Sequence, residues 1–283
     1  AVVAGLMRNY FNAYGAKKLG ARRREPMKRE MWVRIESIPE NTHLPQRRQP
    51  WSPQSNQRDR TMLRMGRVLW RTGHRVGEVC DSPDGEVRYF TRASVTYRIA
   101  GVVVMDPTAE QLRLLRVGDV ILLESPASKP DHFGVEPCPF PSVLPSSDDP
   151  LRAARAIVDI ELESPCRGSA RESRPLFADQ FGRPLTYSAV NSWLHQVLAH
   201  LLGERAASAL SWHSVRIGLA CALRAVGCPP DVIQLICRWA CEESLRLYAR
   251  LDVNTNVEWT DKAQHATFDA YQVANLPELD HGD

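Results

Sequence analysis

Strand-like patterning is confined to one part of this 283-residue chain, and that confinement limits what it can fold into. Runs rich in β-branched and aromatic residues occur at Val87 to Tyr97 and Asp119 to Glu124, so the expected sheet is small, local in sequence and antiparallel. The rest reads as apolar residues at helical spacing, punctuated by Pro and Gly. Helices are expected at Pro26 to Ile38, with proline at the helix start, and at Asp59 to Arg71, terminated by Gly73. Further helices are expected at Pro150 to Leu162 and Ser188 to Leu202, three between Ser211 and Leu251, and a last one at Thr260 to Ala274. The fold class is therefore mainly α with a small antiparallel β-sheet.

From Pro39 to Asn56 the composition turns to Pro, Gln, Asn and Arg, and Pro39, Pro45, Pro50 and Pro53 break any helix, which reads as an extended connector. It divides the chain into residues 1–24, a helical remnant; 25–58, a basic helix and connector; and 59–283, the main domain. Charge is sorted in a similar way. Residues 1–75 hold 17 Lys and Arg against 5 Asp and Glu, and the remainder is mildly acidic, a distribution suited to a polyanionic partner.

The longest apolar stretches, such as Gly101 to Met105, fall far short of the roughly 18 residues that a membrane span requires. Seven cysteines form no CxxC pair and sit mostly in apolar helical patterns, as expected of small buried hydrophobes in a reducing compartment. Cys237, Cys241 and His213 lack a fourth ligand at suitable spacing, so core packing accounts for them better than zinc, and neither a metal nor another cofactor is expected. The chain opens on Ala1 without a charged-then-apolar leader. A fragment of a longer intracellular protein is expected, nuclear in a eukaryote and cytoplasmic otherwise.

Chemistry concentrates in Trp212-His213-Ser214-Val215-Arg216-Ile217-Gly218, then Cys237-Arg238-Trp239, then Tyr248. A His-x-x-Arg match is expected about once by chance in a chain this rich in Arg, so the setting matters more than the motif. His213 and Arg216 stand three apart at the start of an apolar helix, on one face, where free amides add positive potential suited to a phosphate. Lysine is scarce: of five, Lys129 is the only one between Lys28 and Lys262. A general acid must release its proton during the reaction, which an ammonium near other cations can do and a guanidinium with pKa above about 12 cannot.

The order HxxR, then Trp 26 residues after the His and Tyr 9 residues after the Trp, resembles the tyrosine recombinase (phage-integrase) family in the spacing of its Cre-like members. Thr72-Gly73-His74-Arg75-Val76-Gly77-Glu78 looks like that family's TGLRxGE turn, and Ser128-Lys129-Pro130-Asp131-His132-Phe133-Gly134 is similar to the lysine-bearing segment of recombinases from DIRS-type retrotransposons. The resemblance covers about residues 59 to 251. It implies the DNA breaking-rejoining catalytic fold, with Tyr248 as nucleophile, Arg75, Arg216 and His213 on the phosphate, Lys129 as general acid, Trp239 packed beside the phosphate and Glu78 near Arg75. It also implies double-stranded DNA as substrate, tetramerisation on DNA, and site-specific recombination or integration for a mobile element, with residues 1–24 left from an amino-terminal DNA-binding domain.

Surrounding cations favour the phenolate of a tyrosine whose unperturbed pKa is about 10, and Arg forks grip non-bridging phosphate oxygens without a metal. Two other readings stand beside this one. One is a domesticated or decayed DNA-binding module without strand exchange; the other is a type IB topoisomerase-like enzyme with the same chemistry. Seven matched positions favour an active enzyme, because a decayed copy has no chemical reason to hold them together. Singly, each of these residues would be read as core, cap or salt-bridge partner.

Overall fold

In the computed structural model, which describes residues 25–81, 89–125, 141–146, 152–238 and 253–267, the first element is helix α1 (Arg29–Glu36), which buries Trp32 and Ile35. The Pro-rich segment that follows is folded rather than extended. Thr42 and Trp51 form an antiparallel bridge, and Trp51 lies fully buried with its indole N–H donating to the Ile38 carbonyl at 3.1 Å. A tryptophan with its one polar atom satisfied is a strong apolar anchor, and it outweighs the tendency of four prolines to keep the segment extended.

Helix α2 (Gln57–Thr72) is buried along most of its length, through Met62, Met65, Val68, Leu69 and Trp70 among others. Its ends are set by sequence. The Asn56 side chain accepts from the amides of Arg58 and Asp59, and Gly73 closes the helix at φ 65°, a conformation that costs glycine little. The helix thus runs two residues earlier and one later than Asp59 to Arg71.

Four strands, β1 (Val95–Ile99), β2 (Val102–Val104), β3 (Val120–Leu123) and β4 (Ser142–Pro145), make one antiparallel sheet in the order β2-β1-β3-β4. Tyr97 pairs with Val104 on one side and Ile121 on the other. The strand expected from residue 87 begins only at Val95, because residues 92–94 form a 3-10 turn instead. Short helix α3 (Ala109–Arg113) joins β2 to β3.

Helices α4 (Ala153–Glu163), α5 (Ala170–Ser173), α6 (Tyr187–Leu202), α7 (Glu204–Ala207), α8 (Trp212–Ala225), α9 (Pro230–Ile236) and α10 (Val253–Gln264) follow. The third helix expected before Leu251 falls on residues outside those described. α10 corrects the expectation of a helix at Thr260 to Ala274 after a polar linker. It starts seven residues sooner, ends at Gln264, and packs on its own chain: Thr260, Ala263 and Gln264 are buried, and Asp261 pairs with buried Arg71 at 2.7 Å. Polar Asn and Thr side chains hide its apolar spacing in the sequence.

A row of four indoles crosses the interior: Trp51 to Trp193 at 5.8 Å, Trp193 to Trp212 at 6.3 Å, and Trp212 to Trp32 at 5.8 Å between ring centroids. It joins the Pro-rich segment, α6, α8 and α1 into one core and fixes the direction in which α8 leaves it. Among the described residues no helix is long and apolar enough to cross a membrane. The architecture is a mixed α and β fold, helices around one small antiparallel sheet.

Candidate functional site

Three separate segments meet beside the carboxyl end of α2. Gly73 begins the first. Its left-handed turn sends the chain into His74 and Arg75, and a Cβ there would lie 3.6 Å from the Cα of Cys237, so the residue-237 loop passes directly over it. The Arg75 amide donates to Glu78 Oε2 at 2.7 Å, which closes a tight turn over Val76–Glu78 and points both side chains to one side.

The second segment is the start of α8. Ser211 donates its amide to Ser214 Oγ at 3.1 Å, a local cap that starts the helix before His213. Arg216, one turn in, is only 2% exposed, and its guanidinium donates to the Gly73 carbonyl at 3.1 Å and the Arg238 carbonyl at 3.2 Å. His213 is exposed on the first turn of the same helix.

The third segment leaves α9. Proline at its start fixes the entry, and Cys237 packs fully buried against the Gly73 turn. Arg238 then adopts φ 49°, a left-handed conformation rare for a residue with a side chain. Its Nη2 donates to Glu78 Oε2 at 2.8 Å, while Nη1 meets His74 Nε2 and lies 3.4 Å from Ser142 Oγ on β4. Ser125 Oγ is 3.0 Å from the same His74 nitrogen.

Arg75, Glu78 and Arg216 therefore come together, and His213 lies on the helix that carries Arg216. Lys129, Trp239 and Tyr248 lie outside the described residues. Two members of the cluster, His74 and Arg238, were not singled out. Both sit inside the quoted motifs, but a histidine in a turn and an arginine before Trp239 carry no chemical signal until the three segments are seen to meet.

Among the described residues, cations outnumber carboxylates at this site. Burial is the main force pulling the Arg216 pKa down to about 9, with the nearby cations Arg75 and Arg238 adding to it and Glu78 opposing. The Arg75 pKa is lowered too, by burial first, with Glu78 resisting and Arg238 assisting. His74 is 2% exposed, and burial followed by Arg238, Arg216 and Arg75 holds its pKa well below 6.5, so it is neutral at pH 7. Among the described residues, three guanidiniums thus face one carboxylate. An anion entering beside Arg75, whose side chain is 35% exposed, would relieve that imbalance.

No protein-family model, characterised protein or solved structure matches this chain.

Proposed function

We propose that the chain is the catalytic part of a tyrosine recombinase that cuts and rejoins double-stranded DNA through a 3′-phosphotyrosyl intermediate. The observation that carries this reading is the convergence of Arg75 and Arg216, far apart in sequence, in a cluster where, among the described residues, guanidiniums outnumber the one carboxylate, Glu78. Fork-shaped donors suit the two non-bridging oxygens of a phosphodiester.

In this reading Tyr248 Oη attacks phosphorus, the bond to the 5′-oxygen breaks, and Lys129 gives that oxygen its proton. The energy of the broken bond stays in the phosphotyrosyl link, so rejoining runs by reversal with the 5′-hydroxyl as nucleophile. Arg75 and Arg216 hold the charge that builds on the phosphoryl oxygens, His213 adds a donor, and Trp239 packs beside the phosphate. The protein would assemble as a tetramer on its DNA to exchange strands.

The test is incubation of the full chain with nicked suicide duplexes, in which the short 5′-product diffuses away and traps the adduct. A covalent protein and DNA band on a denaturing gel, present for the unmodified chain and absent for Tyr248→Phe, is the expected result. Binding without any adduct would favour the decayed module. Relaxation of supercoiled plasmid without strand exchange would favour the topoisomerase-like reading.

A further inference from the structure

We infer that Arg238 is a positioning residue of this site: it occupies Glu78 so that the Arg75 guanidinium keeps only a long, 3.8 Å ion pair to that carboxylate and stays available to an anion. The inference rests on the reading of Arg75 and Arg216 as a phosphate clamp. A carboxylate three residues from an arginine in a tight turn would ordinarily close a two-pronged ion pair with it, cancelling its charge. Here it does not. Glu78 Oε2 is shared by the Arg75 amide at 2.7 Å and Arg238 Nη2 at 2.8 Å, while Arg75 Nη1 stands 3.8 Å from Oε1, beyond hydrogen-bond reach. Oε1 is buried and has no hydrogen-bond partner among the described residues.

Arg238 acts on the second clamp arginine as well. Its left-handed backbone turns its carbonyl onto Arg216 Nη2 at 3.2 Å, so one residue contacts Arg216 directly and governs Arg75 through Glu78. The cost of that backbone conformation is offset by anchoring the side chain on Glu78, His74 and Ser142. His74 can take the Arg238 N–H only when its Nε2 is unprotonated, and burial first, then the surrounding arginines, keep it so. Arg238 also immediately precedes Trp239, the first of the catalytic-position matches in the stretch that ends at Tyr248.

The experiment reads the availability of Arg75 directly, by its rate of modification with phenylglyoxal, followed by mass spectrometry of the peptide that contains it. Arg238→Gly keeps the carbonyl for Arg216 and relaxes the left-handed backbone, so a folded variant is expected. Arg75 should then be labelled several-fold more slowly, because Glu78 becomes free to pair with it. The double variant Arg238→Gly with Glu78→Gln should return labelling to the original rate or above it. Loosening of the structure would instead speed labelling, so the sign separates positioning from damage. Arg238→Lys, which still offers a cation to Glu78, should label like the unmodified chain.

Unchanged or faster labelling in folded Arg238→Gly, or slowed labelling in Arg238→Lys, overturns the inference. Failure to form any DNA adduct would count against the recombinase reading and leave the labelling result standing. Unchanged labelling beside a normal adduct would remove Arg238 and leave that reading intact.

Discussion

The guanidinium of Arg216 hydrogen-bonds the carbonyl of Gly73, 143 residues earlier, and that contact helps tie α8 to the turn carrying Arg75. Burial sets a cost against that contact for Arg216. Burial beside Arg75 and Arg238 disfavours its charged form, as its lowered pKa records, while its two hydrogen bonds to carbonyls offset part of that cost. Arg216→Met, close in volume, is expected to leave stability unchanged or raise it by roughly 1 kcal/mol in urea melts while abolishing anion binding. A loss of more than about 2 kcal/mol would mean that the hydrogen bonds outweigh the buried charge.

His74 makes stability depend on pH. Its folded-state pKa lies well below the 6.5 of the unfolded chain, through burial and the three arginines around it. Between those two values the unfolded state binds a proton that the folded state does not, so stability falls as pH drops below 6.5. The slope contributed by one such group reaches about 1.4 kcal/mol per pH unit. Urea titrations from pH 7.5 downward should show His74→Gln, which keeps an acceptor for Arg238 but cannot titrate in this range, with a shallower decline than the unmodified chain. Parallel curves for the two proteins would exclude His74 as the source. Phosphate at millimolar concentration should soften the decline by offering the cluster its missing anion.

Gly218 allows α8 to approach the chain ahead of α1. A Cβ there would run into the Met27 carbonyl, which also accepts from the Trp70 indole at 3.1 Å, while the Met27 amide donates to Ser214 at 2.8 Å. Backbone so tied cannot move aside cheaply. Gly218→Ala is therefore expected to cost about 1–3 kcal/mol in thermal or urea melts, despite the better helix propensity of alanine. Because Gly218 is two residues from Arg216, the displaced helix should also weaken anion binding. A variant as stable as the parent would show that α8 tolerates a shift.

What could be read in the sequence was what depends on local signals. The end of α2 is legible because Gly73 is strong helix punctuation, while its start at Gln57, two residues before Asp59, rests on the Asn56 cap that the connector's composition hides; the Arg75 and Arg216 motifs carry their own spacing. β2 escapes because two exposed residues and one half-buried one at a sheet edge show no alternation. The fold of the Pro-rich segment depends on Trp51 finding Trp193, a long-range contact with no local trace. Arg238 is the clearest case of this kind. A positive φ on arginine has no sequence signal, and its role emerges only once Glu78, His74 and Arg216 surround it.

Lys129 offers the sharpest separation of chemical roles, although it lies outside the described residues. If it protonates the departing 5′-oxygen, Lys129→Ala should slow cleavage by roughly 100- to 10,000-fold, the usual cost of losing a general acid. A substrate carrying sulfur in place of the bridging 5′-oxygen leaves as a thiolate and needs no proton, so it should restore most of the rate to Lys129→Ala. Arg75→Ala should gain nothing from the same substrate, because Arg75 faces the charge on the non-bridging oxygens, which sulfur at the bridge does not change. Single-turnover cleavage of the two substrates by the two variants gives four rates. Rescue of both variants alike would show only that the thiolate is a better leaving group, and rescue of neither would take the general-acid role from Lys129.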